Sequence, residues 1–136
     1  MESLKPHIGT KSKQFREEIT ASRIAAFCKA VHAPVNEKAP PTFLTSFRHG
    51  EFDIFKEIGV SLSSILHGEQ EYQYQDSILA NDIITYTTTL AHVLAKSGNT
   101  AKLQILTLET EFIAERNQQK FPVGKARSTM VVRSQI

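Results

Sequence analysis

Apolar residues in the first quarter of the chain recur at helical spacing. An apolar residue every three or four positions forms one stripe along a helix. Four residues follow this rule: Ile24, Phe27, Cys28 and Val31. Thr20 can cap the start of this helix, because its hydroxyl accepts a hydrogen bond from an unpaired backbone N–H. The pattern predicts a first helix that begins after Thr20 and ends before Pro34, because the residue before a proline avoids the helical conformation.

A second helix is predicted to open at Thr42 or Phe43 and to stop at Gly59, a residue type that commonly terminates helices. A loop punctuated by prolines, residues 33–41, precedes it. Its apolar side consists of Leu44, Phe47, Phe55 and Ile58, with Phe52 and Ile54 nearby. Because this segment is so rich in phenylalanine, we expect a helix that is largely enclosed by the rest of the fold.

From Leu66 onward the pattern changes to the alternation of β-strands. The segments are rich in threonine and in β-branched residues, which favour strands. Strands are predicted at residues 66–74, 83–94, 103–113 and 123–133, with a short additional strand near 14–19. Turns at residues 97–100 and 117–120 connect the last three strands as hairpins.

This order of elements predicts a single α+β domain over residues 1–136. A sheet with one apolar face must bury that face against another element, and the second helix is the only adequate cover in the sequence. We therefore expect an antiparallel sheet of about five strands wrapped around a central Phe-rich helix. That arrangement is the hot-dog fold.

Composition narrows the function. The net charge of +2, from 16 Lys and Arg against 14 Asp and Glu, is too small to indicate a nucleic-acid or membrane partner. Cys28 is the single cysteine, so neither an intrachain disulfide nor a cysteine-based metal site is expected. No apolar run of about 18 residues predicts a membrane span, and residues 1–10 lack the apolar core of a signal peptide. We expect a cytoplasmic protein without a metal or cofactor.

Several short motifs occur in a recognisable order. They are Ala-Pro-Pro-Thr-Phe at residues 39–43, His-Gly-Glu-Gln at residues 67–70, Asn81 with Asp82, residues 109–112, and Thr129 with Arg133. In this order the chain resembles the N-terminal-half domain of MaoC-like dehydratases, a branch of the hot-dog superfamily. The resemblance extends over roughly residues 8–133.

The resemblance implies a domain that handles acyl thioesters of coenzyme A or of an acyl-carrier protein. Active hydratases of this superfamily carry an Asp, then Asn-Pro, then a His before the central helix. The corresponding stretch here, residues 32–38, is short and contains no Asp. The family's glycine before Asp82 is replaced by Asn81, which still tolerates a positive φ.

Three residues are weak candidates for catalysis, His32, Glu37 and Glu51, and Asp53 is an alternative to the last of them. Hydration of an enoyl thioester needs a base that activates water and an acid that protonates the substrate. His32 and Glu37 lie in the right loop and could replace the missing pair; alternatively they belong to a solvated loop. Glu51 on the central helix, or its neighbour Asp53, could activate water as in hot-dog thioesterases, although an exposed helix face is the simpler interpretation.

Other residues are candidates for substrate binding. The resemblance implies that His67 and Gly68 contact the pantetheine arm or support the binding tunnel; the alternative is a structural histidine. Phe43 and Phe47 could line an acyl tunnel or simply form core. A last group could meet a phosphate of the carrier, unless it only forms a solvated strand face: Lys125, Arg127 and Arg133.

The leading hypothesis is an acyl-thioester-binding hot-dog protein, the non-catalytic or substrate-binding half of a 3-hydroxyacyl-thioester dehydratase or enoyl hydratase. Alternatives are a self-sufficient homodimeric (R)-specific enoyl-CoA hydratase, an acyl-CoA thioesterase, and a purely structural dimer. Because an open sheet edge favours pairing, we expect a homodimer, or a heterodimer with a catalytic hot-dog subunit, in which two sheets join into one.

Overall fold

The computed structural model describes residues 3–99 and 101–135. Its helices are α1 (Ala21–Ala30) and α2 (His49–Glu57). Its strands are β1 (Phe15–Glu18), β2 (Ile65–Tyr74), β3 (Ile83–Ser97), β4 (Ala101–Arg116) and β5 (Gln119–Gln135). Short 3-10 helices occupy Lys5–His7, Pro41–Ser46 and Leu62–Ser64.

The strands form one five-stranded antiparallel sheet in the order β1-β3-β4-β5-β2. β3, β4 and β5 are joined in sequence by two hairpins, and β2 is the edge strand that pairs with β5. The predicted α+β class, the five strands and the turn near 117–120 are confirmed; Asn117 and Gln118 have φ of 52° and 64° there. In the other predicted turn, residue 100 lies outside the described residues.

The first helix is confirmed, including its cap, because Thr20 Oγ1 accepts a hydrogen bond from the Arg23 backbone N–H at 3.1 Å. The prediction of one continuous second helix is wrong. The segment divides into the 3-10 helix Pro41–Ser46 and α2, with Phe47 at φ −97°, ψ 86° between them. The Ser46 hydroxyl donates to the Phe43 carbonyl at 2.8 Å, a local bond that competes with helix continuation. The predicted stop is confirmed at Gly59, whose φ is +75°.

α2 covers the inner face of the sheet, and the core beneath it has two parts. One part lies around the 3-10 helix and is largely aromatic; its larger members are Phe43, Phe47, Tyr86 and Phe112. The other lies under α2 and is largely aliphatic; its members include Ile54, Phe55, Leu90, Leu106, Leu108, Met130 and Val132. The expected enclosure of the helix is therefore partial: Phe55 is buried, but Phe52 is 44% exposed.

A polar belt crosses the inner face between these two parts. Every second residue of β3, β4 and β5 faces inward. On each of these strands one buried inward residue is a serine or threonine, and the inward residues on either side of it are aliphatic or aromatic. The belt consists of Gln70, Thr88, Thr110 and Ser128. The hydroxyls of Thr88 and Thr110 share a hydrogen bond of 2.7 Å, and Ser128 Oγ donates to Gln70 Oε1 at 2.8 Å.

Gly50 brings the first turn of α2 against this belt. A Cβ at this position would lie 2.1 Å from Thr88 Oγ1, far inside van der Waals contact. Only a glycine allows the helix backbone to come so close to β3. This approach fixes the position of the next residue, Glu51.

Candidate functional site

The first cleft, here called the helix cleft, lies between the start of α2 and the inner face of the sheet. Arg48, Glu51, Gln70, Tyr72 and Ser128 contribute its polar groups. Its volume is about 10 Å³, which is room for about one water molecule. The helix cleft of this chain therefore has no space for an acyl chain.

Glu51 is the buried acid of the helix cleft. It is 6% exposed, and its Oε1 lies 3.3 Å from Arg48 Nε. A carboxylate in the first turn of a helix is favoured by the helix dipole. The expectation that Glu51 lies on an exposed helix face is therefore wrong, because the Gly50 contact turns this residue toward the sheet. Burial raises the pKa of the nearby Tyr72 phenol; Arg48 opposes this increase and Glu51 adds to it.

Asp53, by contrast, is half-buried on another side of α2. Its Oδ2 accepts a hydrogen bond from the Lys13 backbone N–H at 2.8 Å. The structure thus separates the two carboxylates that the sequence treats alike: Glu51 faces the helix cleft, and Asp53 ties α2 to the segment before β1.

His32 and Glu37 lie in the exposed loop that follows α1. His32 has a φ of 58° just after the helix, and the Glu37 carbonyl accepts a hydrogen bond from the Ala80 N–H at 3.4 Å. Both side chains are exposed, and neither lines the helix cleft. A catalytic role for this pair stays a prediction.

His67 and Gly68 lie on edge strand β2, where they form a β-bulge. The register against β5 shifts between His67 and Glu69, so Gly68 is the extra residue. His67 Nε2 lies 2.9 Å from the Glu69 carbonyl oxygen, which requires the tautomer with N–H at that nitrogen. The side chain is exposed. The structure thus gives both residues a role in the local geometry of β2. Substrate contact by His67 and Gly68 stays a prediction.

Phe43 and Phe47 belong to the core, at 1% and 4% exposure. Their rings meet edge to face with centroids 5.6 Å apart, and the Arg23 guanidinium lies over both, 5.4 Å and 4.9 Å from the ring centroids. Phe47 also lines the helix cleft, while Phe43 forms part of a second cleft. Each of these two side chains therefore packs in the core and also lines a cleft.

The second cleft, here called the proline cleft, is much larger, at about 520 Å³. One wall is the Ala-Pro-Pro-Thr-Phe motif, which contributes Ala39, Pro40, Pro41 and Phe43. The other wall is the segment after β2, residues 74–78. The two walls are joined by a hydrogen bond of 2.8 Å from the Ala39 N–H to the Ile78 carbonyl.

Lys125 and Arg127 lie on the outer face of the sheet, away from α2. Lys125 Nζ is 3.9 Å from Glu111 Oε1, and Arg127 Nη2 is 3.2 Å from Glu109 Oε1. Arg133 is exposed on the same face. Cross-strand pairs of this kind on an exposed face contribute little to stability. A phosphate-binding role for these three cations stays a prediction.

Sequence reasoning missed a chain of hydrogen-bonded polar side chains near the start of α2, in which Tyr86 is buried and Glu17 and Arg23 are half-buried. Tyr86 is 1% exposed, and its hydroxyl donates a hydrogen bond to Glu17 Oε2 at 2.5 Å. The other carboxylate oxygen, Glu17 Oε1, lies 2.8 Å from Arg23 Nη1. Burial, followed by the hydrogen bond and the charge of Glu17, raises the pKa of Tyr86 well above its ordinary value. No local pattern signals this chain, because its members come from β1, α1 and β3.

Comparison with known proteins identifies the family. A family model described as FAS1-like, dehydratase domain region, matches residues 6–120. A UPF0336 protein of Thermobifida fusca is 33% identical over 76 residues, which is 54% of this chain and 47% of that protein. The chain thus spans about half the length of the curated relatives it matches.

Solved structures show the same fold at low sequence identity. The Mycobacterium tuberculosis HadBC (3R-hydroxyacyl-ACP dehydratase) complex matches with a TM-score of 0.73 at 17% identity, over 92% of this chain and 96% of that one. A MaoC-like dehydratase matches with a TM-score of 0.76 at 16% identity, over 96% of this chain and 43% of that one. The chain belongs to the FAS1-like dehydratase domain family and has the hot-dog fold, so the resemblance to MaoC-like dehydratases is confirmed. No helix in the described part of the chain is long and apolar enough to cross a membrane.

Proposed function

We propose that this member of the FAS1-like dehydratase family is the acyl-thioester-binding, non-catalytic half of a 3-hydroxyacyl-thioester dehydratase or enoyl hydratase. The observation that carries the proposal is a contrast between two segments. The family motif at residues 39–43 lines a cleft of about 520 Å³. The loop at residues 32–38, where an active hydratase holds its acid and base, presents His32 and Glu37 to solvent.

Hydration of an enoyl thioester sets strict geometric requirements. A base and an acid must reach the same water and the same substrate carbon, and donors must stabilise the enolate-like oxygen. Exposed side chains on a surface loop do not meet these requirements, because bulk water competes for their hydrogen bonds. A second subunit would therefore supply the acid–base pair, while this chain holds the substrate.

Edge strand β2 favours such a partner. Its outer edge carries no neighbouring strand within the described chain, and an unpaired edge of ten residues is a template for strand pairing. Large apolar side chains are exposed on this strand or just before it: Leu62 at 59%, Leu66 at 66% and Tyr74 at 43%. The HadBC complex of similar fold is a dehydratase complex of two different chains by its name. A hot-dog partner paired along β2 is consistent with these features.

The test is a hydration assay with crotonyl-CoA. The purified chain is assayed alone and after coexpression with a hot-dog subunit that carries the Asp, Asn-Pro, His segment. We expect no acceleration by the chain alone and turnover by the pair, with the two proteins co-migrating in size-exclusion chromatography with light scattering. An enzyme-like rate for the chain alone, abolished in His32→Ala, would instead establish the self-sufficient hydratase. No thermal shift with any acyl-CoA, alone or paired, would indicate a structural dimer.

Thioester hydrolysis is the second candidate, because Glu51 is buried beside a cleft that holds about one water molecule. A carboxylate in such a position can act as the base that activates water. Release of free thiol from acyl-CoA by the wild-type chain, lost in Glu51→Gln but retained in the matched variant Asp53→Asn, would support it. Equal rates in both variants would exclude Glu51 as the base.

A further inference from the structure

We propose that the outer face of the sheet carries an interface of its own, through which two copies of this chain pack sheet against sheet. The interface centres on a row of apolar side chains, here called the outer apolar row. The row crosses four neighbouring strands at one level and consists of Leu66, Val131, Ile105 and Leu94. This inference goes beyond the function proposed above, because it concerns assembly of the chain with itself and requires no substrate.

The register of the sheet places the four side chains of the row next to one another. Val131 on β5 pairs with Leu66 on β2 on one side and with Ile105 on β4 on the other. Ile105 pairs in turn with Leu94 on β3. The residues that flank Ile105 and Val131 in sequence are buried on the inner face. Because side chains alternate along a strand, the row faces away from α2.

The outer apolar row is open to solvent. Its end residues are the most exposed, Leu66 at 66% and Leu94 at 43%, and Ile105 and Val131 are half-buried between them. A partner that pairs along β2 would continue the sheet in its own plane and would leave this face uncovered. A contiguous apolar surface with charged surroundings is typical of a protein–protein interface, so the row calls for a different occupant.

The charges on either side of the row favour a second copy as that occupant. The next level toward the β3–β4 hairpin carries the exposed cations Lys96 and Arg133. On β2, β4 and β5, the two levels on the other side carry three exposed acids, Glu69, Glu71 and Glu109, against one arginine. A two-fold axis along the row turns each apolar residue toward its own copy. The same axis places the basic level of one copy opposite the acidic levels of the other.

The area of this face indicates a weak but specific contact. Strands lie about 4.8 Å apart, and residues on one face of a strand follow each other at about 6.7 Å. The row and the levels on either side of it therefore cover about 400 Å² of flat area on four strands, or about 800 Å² for two copies. The accessible surface of the side chains is larger than this flat area. The contact thus lies at the low end of specific interfaces, for which we expect a dissociation constant of about 1–100 μM.

The first test measures self-association of the full chain by sedimentation velocity over a range of concentrations. Leu94→Glu places a carboxylate in the row, where two-fold symmetry brings it against its own copy. Thr85→Glu is the matched control, because Thr85 lies on the outer face near the start of the same strand, far from the row. Circular dichroism verifies that both variants are folded.

The second test is cross-linking with a short bismaleimide. In Ile105→Cys the two thiols face each other across sheets about 10 Å apart, whereas in Thr85→Cys the axis carries the two thiols far from each other. The native Cys28 is buried, so the introduced thiol is the one that reacts. We expect a cross-linked dimer for Ile105→Cys and none for Thr85→Cys.

In sedimentation, wild type and Thr85→Glu should associate alike, and Leu94→Glu should weaken association by at least about tenfold. Association that Leu94→Glu leaves unchanged, without cross-linking of Ile105→Cys, would assign self-association to the β2 edge and overturn the proposal. A wild-type chain that stays monomeric at about 100 μM would also overturn it. Protection of the Ile105→Cys thiol by a coexpressed hot-dog subunit, in place of a second copy, would assign the row to that subunit and equally overturn the proposal. None of these results bears on the hydration assay, so the proposed function is tested separately.

Discussion

Replacement of Gly50 by alanine tests the contact that places α2 on the sheet. At most helical positions Gly→Ala stabilises a protein by about 0.5–1 kcal/mol, because alanine loses less backbone entropy on folding. At Gly50 the added Cβ would lie 2.1 Å from Thr88 Oγ1 and 3.0 Å from Thr88 Cβ. The clash is internal to the fold, because Thr88 is 1% exposed and cannot turn into solvent.

The expected cost has two parts. Overpacking of a well-filled interior costs about 1–3 kcal/mol. If Thr88 rotates to escape, its 2.7 Å hydrogen bond with Thr110 is lost, and a buried hydroxyl without a partner costs about 1–3 kcal/mol. After the gain in helix propensity is subtracted, we expect Gly50→Ala to lower the free energy of unfolding by about 2–4 kcal/mol.

The assay is urea unfolding followed by circular dichroism, at several protein concentrations because association alters apparent stability. The double variant Gly50→Ala, Thr88→Ala removes the closer clashing atom, so it should be less destabilised than the sum of the single variants by about 1–2 kcal/mol. Gly59→Ala is the control: nothing lies within 4 Å of its added Cβ, and only its φ of +75° is unfavourable, at about 1 kcal/mol. A neutral or stabilising effect of Gly50→Ala would refute the close approach of α2 to β3.

Three further predictions concern the ion pair, the tyrosines and a turn. Arg116→Met leaves Asp82 buried without its bidentate partner and should cost about 3–5 kcal/mol in urea unfolding; a loss under about 1 kcal/mol would contradict the role given to this pair. All three tyrosines have raised pKa values, with burial the first cause and that of Tyr74 raised to about 12. The unfolded chain therefore loses phenolic protons before the folded one does, so stability should fall as pH rises from about 10 to about 12 and should not depend on these groups below about 10. Phenolate absorbance of the native protein should show no tyrosine titrating at its ordinary pKa. Gln118→Gly should stabilise the protein by about 1 kcal/mol, because Gln118 holds a φ of 64° in the β4–β5 turn and glycine adopts that conformation without strain; an unchanged urea midpoint would contradict this.

The elements that the sequence predicted well are those specified locally. Thr20 bonds the N–H three residues on, Gly59 stops α2, and alternation along β3 and β4 marks the inward positions without knowledge of their partners. The break at Phe47 was missed because the apolar spacing continues across it. What ends the 3-10 helix is a backbone conformation supported by side-chain bonds to carbonyls, and hydrophobic periodicity does not record such bonds.

The candidate site was less predictable because its walls come from distant segments. The sequence identifies one wall of the proline cleft, the motif at residues 39–43. It gives no sign of the opposite wall, residues 74–78, because the hydrogen bond from Ala39 to Ile78 that joins the two walls is a long-range contact. Glu51 and Asp53 carry the same functional group two positions apart, and carboxylates are seldom buried, so the sequence favoured exposure for both. Gly50 decides between them, and its contact is with a strand that lies far along the chain.

The divided core gives this glycine a consequence beyond stability. Gly50 packs against Thr88 of the polar belt, and the other belt residues, Gln70, Thr110 and Ser128, line the helix cleft. With α2 at its present distance the helix cleft is about 10 Å³, whereas the proline cleft is about 520 Å³. If the double-variant cycle gave a coupling near zero, α2 could move from β3 at little cost. The helix cleft could then widen for an acyl chain, with Glu51 beside it. That result would favour thioester hydrolysis by this chain over the proposal that it only holds the substrate. A coupling of about 1–2 kcal/mol would keep that cleft closed and favour catalysis by a partner subunit.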